Sequence, residues 1–200
     1  MAQITPFSAR VKATLRETLL DAAANLLADR GFSGLRMADV ATAAGVSRQT
    51  VYNEFGGKEA LVEAVTLRLT EAFLAETARH LDTAPCLLDG IAAAVRYIQG
   101  LATANRLFSA MLTGTDAQDL LPFVTTKGQP MLASATELVC HHLRTRLPAL
   151  PAGLATAYAE ISVRLTVSHL LLPSAEPDSA AAAVRLVAES MLGPYLSTKE

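Results

Sequence analysis

The side chains best suited to recognition chemistry stand together in one short run: Ser47, Arg48, Gln49, Thr50, Tyr52 and Asn53. Glutamine and asparagine can each offer a donor and an acceptor to an adenine edge. Arginine suits guanine or a phosphate, and threonine can meet a thymine methyl. The run is short of acid until Glu54. Ser47 can cap a helix by accepting a backbone N–H, and the helix N-terminus it marks is a place where a phosphate sits well. The plain alternative is the solvated face of a three-helix packing module, and spacing alone leaves both open.

The other reactive side chains are poorly placed for catalysis or metal binding. Cys86 and Cys140 are too few and too far apart for a zinc site, and two buried free thiols are expected. Adjacent histidines on a helix point about 100° apart, so His141 and His142 chelate one ion poorly, and no acidic or cysteine cluster joins them or His169. No Ser-His-Asp spacing or phosphate-cradling glycine loop is present. The expectation is a protein that is not an enzyme and has no metal or cofactor.

Helices must position the recognition run. Of the 200 residues, 51% are hydrophobic, dominated by alanine and leucine and with no tryptophan, which favours helix over strand. No apolar run reaches the roughly 18 residues of a membrane span, and the N-terminus lacks a charged-then-apolar signal pattern. A soluble, cytoplasmic chain is expected. Val11, Leu15, Leu19, Ala22, Ala23, Leu26 and Leu27 keep helical spacing up to a stop at Gly31, after which Phe32 tucks back. Met37, Val40 and Ala41 open a short second helix ending at Gly45. Ser47 begins a third, with Val51 and Phe55 inside, and Gly56-Gly57 ends it. Lys58 opens a long fourth helix with Leu61, Val65, Leu69 and Phe73 on its stripe, fading near Asp82–Pro85.

Pro85 suits the first turn of a fifth helix reaching about Ala102. A short segment at Arg106–Leu112 and an irregular link follow. Further helices are expected over about Met131–Arg146, Ala152–Leu172 and Ser179–Leu192, with Asp178 or Ser179 capping the last. The fold class is all-α, with about nine helices. Two short helices around a glycine turn at Ala44-Gly45-Val46 form a helix-turn-helix.

The stretch "MADVATAAGVSRQTVYNEFGGKEAL" resembles the DNA-binding signature of TetR-family bacterial transcriptional regulators. It carries Val40-Ala41, Ala44-Gly45-Val46-Ser47, Thr50-Val51-Tyr52, Phe55 and Lys58, with Gly31-Phe32 upstream. The likeness spans about residues 11 to 65. Within it, "TVYNEFG" is also similar to regulators of alkane or fatty-acid metabolism in actinobacteria and pseudomonads. Arg36 stands where the family usually has a capping Ser or Thr, and could reach a phosphate instead. Asn53-Glu54 replaces a more aromatic pair, and Glu54 would repel phosphates unless it orients Arg48 or Lys58 or accepts from a cytosine amino group. Gly57 replaces the usual cap of the fourth helix.

The resemblance implies three parts: a helix-turn-helix domain over 1–57, a connecting helix over 58–84 and a helical regulatory and dimerisation domain over 85–200. It implies a homodimer that binds a double-stranded DNA operator as a repressor and lets go when a small, mostly hydrophobic, fatty-acid-like ligand binds. The alternative is a regulator without an inducer, constitutive or governed by protein partners. DNA contacts are expected from Arg36, Ser47, Arg48, Gln49, Thr50, Tyr52, Asn53 and Lys58.

Ligand contacts are expected from Tyr97, Leu101, Phe108, Met111, Leu112, Phe123 and Met131, with Arg96, Asn105 or Arg106 as candidate holders of a polar head. The family's dimer interface, built from the last two long helices, is compatible with stripes at Ala157, Ile161, Leu165, Ser168 and Leu172, and at Ala183, Leu186, Val187, Ser190 and Met191. The net charge of -2 is no obstacle, because residues 1–60 hold seven basic groups against six acidic. A dimer presents Arg10, Lys12 and Lys58 twice, to grooves roughly 34–36 Å apart.

Overall fold

The computed structural model describes residues 7–104, 129–174, 176 and 178–196. Among them lie eight α-helices and no strand, which agrees with the all-α expectation. They are α1 (Phe7–Gly34), α2 (Met37–Ala43), α3 (Arg48–Phe55), α4 (Lys58–Thr83), α5 (Leu87–Ala104), α6 (Gln129–Arg146), α7 (Ala152–Leu171) and α8 (Ser179–Leu192). A 3-10 turn, Gly193–Tyr195, closes the described chain. The segment expected at Arg106–Leu112 lies outside the described residues.

Two apolar cores organise these helices. The first gathers Leu19, Leu27, Val40, Val51, Phe55 and Leu61 from α1 to α4. The second gathers Leu81, Leu87, Val95, Leu143, Tyr158 and Val184 from α4 to α8. Burying a side chain of this size contributes about 1.5–3 kcal/mol each. The helix α4 serves both: Leu61, Val62 and Val65 sit in the first core, and Leu81 sits in the second. At a rise of about 1.5 Å per residue, its 26 residues span about 39 Å. Arg68 ties the middle of α4 to α1 through Glu17 (3.0 Å) and Asp21 (2.8 Å).

Gly31 takes φ 66°, so the regular part of α1 stops there as its spacing predicts, and Phe32 packs back against the first core. Where α5 crosses α4, Gly90 allows a close approach: a Cβ at that position would lie 2.8 Å from the Leu81 carbonyl oxygen. Two expectations at helix ends are corrected. The fifth helix begins at Leu87, so Pro85 precedes it, and the Asp89 N–H points at Cys86 Sγ (3.4 Å). Asp178 adopts a left-handed conformation (φ 63°, ψ 0°) and makes no side-chain cap to α8; its carboxylate instead accepts from Arg96 Nε at 3.1 Å. Cys86 and Cys140 are free thiols, half-buried rather than buried. No helix among the described residues is long and apolar enough to cross a membrane.

Candidate nucleic-acid interface and apolar cavity

The turn between α2 and α3 is built as its residues dictate. Gly45 takes φ 69°, and the Val46 N–H donates to the Ala41 carbonyl at 2.9 Å. Val40, Ala41 and Val51 are buried beneath, so the crossing leaves little room for a larger residue than alanine. Ser47 caps α3, its Oγ accepting from the Thr50 N–H at 3.1 Å. The two hydroxyls also lie 2.9 Å apart. Arg36 occupies the N-cap position of α2 without a side-chain cap and is exposed.

Along α3 the polar side chains pair in register, four residues apart. Arg48 Nη2 donates to the Tyr52 hydroxyl (3.1 Å), with its guanidinium 5.2 Å from the Tyr52 ring centre. Gln49 Nε2 donates to Asn53 Oδ1 (2.8 Å). Such pairs hold long side chains in one arrangement before any partner arrives. Ser47, Arg48, Gln49 and Asn53 are exposed, whereas Thr50 and Tyr52 are half-buried and the Tyr52 ring packs on the first core. Lys58 opens α4 with its ammonium 4.3 Å from the Phe32 ring centre, a cation–π contact. The kink at Gly31 therefore supplies the surface on which Lys58 rests.

Glu54 finds partners that sequence reasoning did not foresee. Its carboxylate, only 11% exposed, accepts from Arg16 Nη1 (2.9 Å) and lies 3.9 Å from Lys12 Nζ, both on α1 rather than beside Arg48 or Lys58. Arg16 also lies 4.7 Å from the Phe55 ring centre. Glu54 thus fastens α3 to α1. The signal lay in Arg16 and Lys12, one turn apart on α1, but sequence alone does not show which helix they face.

In the second core a cavity of about 80 Å³ lies between α4, α5, α6 and α7. Phe73, Leu74, Thr77 and Leu81 of α4 wall one side. Ile91 and Val95 of α5, Met131, Leu132 and Val139 of α6, Tyr158, Val163 and Val167 of α7, and Val184 of α8 are among the residues that line the rest. The wall hydroxyls of Thr77, Ser162 and Thr166 donate to carbonyls of their own helices, at 2.8, 3.0 and 2.8 Å. The Tyr158 hydroxyl is different: it is buried with no hydrogen-bond partner among the described residues. Burial raises its pKa above the ordinary tyrosine value, and a long-range hydrogen-bonding interaction with Ser162, whose own proton goes to the Ala159 carbonyl, lowers it.

Of the ligand-contacting residues predicted, Met131 lies on this wall. Phe108, Met111, Leu112 and Phe123 lie outside the described residues, as do Asn105 and Arg106. Tyr97 and Leu101 are not among the described wall residues. Tyr97 stacks on Phe73 (ring centres 6.3 Å apart) and stands 4.9 Å from His80, and burial raises its pKa. Arg96 is taken by Asp178 at the surface. His141 is exposed, while His142 is buried with Nδ1 2.8 Å from Asp82.

The stripes expected at the dimer interface face outward. Ile161, Leu172 and Leu186 are 43%, 78% and 63% exposed, large apolar residues on neighbouring helices, with Ala157, Ser168 and Ser190 exposed beside them. Leu165, Ala183, Val187 and Met191 are half-buried.

A helix-turn-helix on a helical bundle with an internal apolar void defines a class of regulator, and comparison with known proteins agrees. Residues 19–65 match the profile of bacterial regulatory proteins of the tetR family, and residues 87–190 match that of the bacterial tetracyclin repressor C-terminal domain. The chain belongs to the TetR family: it is a helix-turn-helix transcriptional repressor, not an enzyme, of a family that binds DNA operators and acts as dimers. It is 32% identical to the HTH-type transcriptional regulator AlkX of Mycobacterium tuberculosis over 184 residues, 91% of this chain and 87% of that protein. Its fold matches the crystal structure of the TetR family repressor AlkX from a Dietzia strain, implicated in biodegradation of n-alkanes, with TM-score 0.70 and 30% identity over 91% of this chain and 97% of that one. The HTH-type transcriptional repressor KstR2 of Mycolicibacterium smegmatis is 34% identical over 77 residues, 38% of each chain.

Proposed function

We propose that this repressor is released from its operator by a small, mostly hydrophobic ligand that enters the cavity against α4. The carrying observation is the position of that helix. Its C-terminal half walls the void, and its N-terminal half lies in the core beneath the recognition helix. We divide the chain into the helix-turn-helix domain over 1–57, the connecting helix over 58–84 and the regulatory and dimerisation domain over 85–200.

In this reading Gln49 and Asn53 meet base edges, Arg48 meets guanine or phosphate, and Thr50 and Tyr52 make contacts at the rim. Ser47 fixes the N-terminus of α3, while Arg36 and Lys58 hold phosphates. The exposed stripes of α7 and α8 pair across a two-fold axis. The void is smaller than the roughly 150 Å³ in which an apolar cavity takes benzene. A chain-like ligand therefore enters only as the helices part, which moves α4. Binding then shifts the protein toward a form with wrongly spaced recognition helices, by no more than its preference for that form. The relative implicated in n-alkane biodegradation favours a long-chain aliphatic ligand.

Anisotropy titration of a labelled fragment from upstream of the protein's own gene tests this. Long-chain alcohols, acids, esters and hydrocarbons should release the fragment and raise the melting temperature in step. A protein that grips the fragment unchanged through all four classes would be a regulator without an inducer.

A further inference from the structure

The wall of the cavity contains one buried hydroxyl that makes no well-formed hydrogen bond among the described residues, with Ser162 its nearest polar neighbour. Four hydroxyl-bearing residues line it, and three of them satisfy their hydroxyls on their own helices. Tyr158 is fully buried, and its hydroxyl has no partner among the described residues. Buried polar groups are paired in more than about nine cases in ten, because leaving one unpaired is costly. Phenylalanine would fill the same space without that cost. Resting on the inducer reading above, we propose that the Tyr158 hydroxyl is the hydrogen-bond anchor for the ligand. The ligand class is then an uncharged, chain-like molecule with a single acceptor oxygen, such as a long-chain ester, ketone or alcohol.

Charge argues the same way. An ionised carboxylate drawn into an apolar wall loses its hydration and needs a cation or several donors in return. The described wall holds neither lysine, arginine nor histidine. The phenol stays protonated throughout the physiological range, so it acts as a donor, and one donor matches one acceptor. Among the fatty-acid-like ligands that the sequence suggested, the neutral relatives therefore fit this wall better than an ionised acid.

Methyl decanoate, undecane and decanoate at pH 8 serve as probes on the full-length dimer, read by operator release and by melting temperature. In the wild type the ester should act at about fivefold lower concentration than the hydrocarbon, the ratio one neutral hydrogen bond carries. It should also outperform the carboxylate. In Tyr158→Phe the ester's advantage should collapse to about one, while the unliganded variant melts at or a few degrees above the wild-type temperature.

A wild-type ester-to-hydrocarbon ratio near one, or a preference for the carboxylate, would overturn the proposal without any variant and leave the inducer reading standing. A Tyr158→Phe protein that keeps the ratio, or that melts well below wild type, would show that the hydroxyl serves the fold instead. If none of the probes releases the operator or shifts melting, the anchor and the inducer reading fail together.

Discussion

Alanine at position 90 would test whether the contact between α4 and α5 sets where α4 lies. Its Cβ would stand 2.8 Å from the Leu81 carbonyl oxygen and 3.3 Å from Ala84 Cβ. No rotamer change relieves a clash with backbone, so α5 must back away from α4. Alanine gains about 0.8–1 kcal/mol of helix propensity over glycine, while overpacking costs about 1–3 kcal/mol. The net effect is a loss of up to about 2 kcal/mol. Gly100, in the same helix, calibrates it: among the described residues a Cβ there meets nothing within 4 Å, so the propensity gain is expected to lead.

At about 2–4 °C per kcal/mol for a chain of this size, Gly100→Ala should melt about 2–4 °C above wild type and Gly90→Ala below it. The regulatory consequence follows from the same geometry. Moving α5 off α4 mimics what a wedged ligand does, so Gly90→Ala should bind the operator more weakly without ligand, and Gly100→Ala should bind normally. Thermal unfolding and operator anisotropy on the three proteins decide it. Equal melting shifts in the two variants would refute the packing argument. A destabilised Gly90→Ala protein with unchanged operator affinity would refute the link through α4.

Four further outcomes are expected. Gly45→Ala leaves the space around the turn unfilled but forces φ 69° on an alanine; the cost should be about 1–2 kcal/mol in denaturant unfolding, with Gly45→Asn losing less. Lys58→Ala should weaken operator and random duplex alike, and its two lost phosphate contacts per dimer should make the log–log salt slope shallower by about 1.8. Gln49→Ala should instead erode the preference for the operator in the same gel-shift series. Burial holds the His142 pKa below the ordinary histidine value, with Asp82 pulling it up. The unfolded chain therefore takes the proton first, and stability should fall as pH drops below roughly 6.5. His142→Leu should flatten that part of the melting-temperature profile between pH 7.5 and 5.

Sequence showed the recognition element well because its information is local. A capping serine, a glycine with positive φ and apolar residues three and four apart leave few ways to fold residues 37–58, and the structure agrees nearly residue for residue. Glu54 was opaque for the opposite reason. Its role depends on Arg16 and Lys12, which are distant in sequence and meet it only when α1 lies across α3. The cavity was opaque in the same way. Large flexible residues such as Tyr97 and Leu101 attracted attention, yet the wall is drawn largely from valines, alanines and leucines that are indistinguishable from core until four helices are assembled. Val163 and Val167 did carry a trace: they make α7 apolar on a second side, and a helix apolar on two sides needs two neighbours.

Under the proposed function, those two sides of α7 would connect the ligand to the dimer. One side, with Tyr158, Val163 and Val167, walls the void, and the other presents Ile161 and Leu172 to the outside. A ligand too large for about 80 Å³ must part the helices that wall the void, α4 and α7 among them. The second core gives α7 a close-packed neighbour in α8, and under the proposed assembly its outer stripe is packed as well. α4 passes from one core into the other: its C-terminal end packs closely on α5 at Gly90, whereas its middle leans on α1 through partly exposed ion pairs at Arg68, which are worth little each. Under the proposed function, the middle of α4 is therefore the part of the wall expected to move. In the proposed assembly, pairing α7 across the two-fold would do more than join two copies: it would turn a local swelling into a displacement of α4, and a monomer without that backing would bind the ligand with little change at α3.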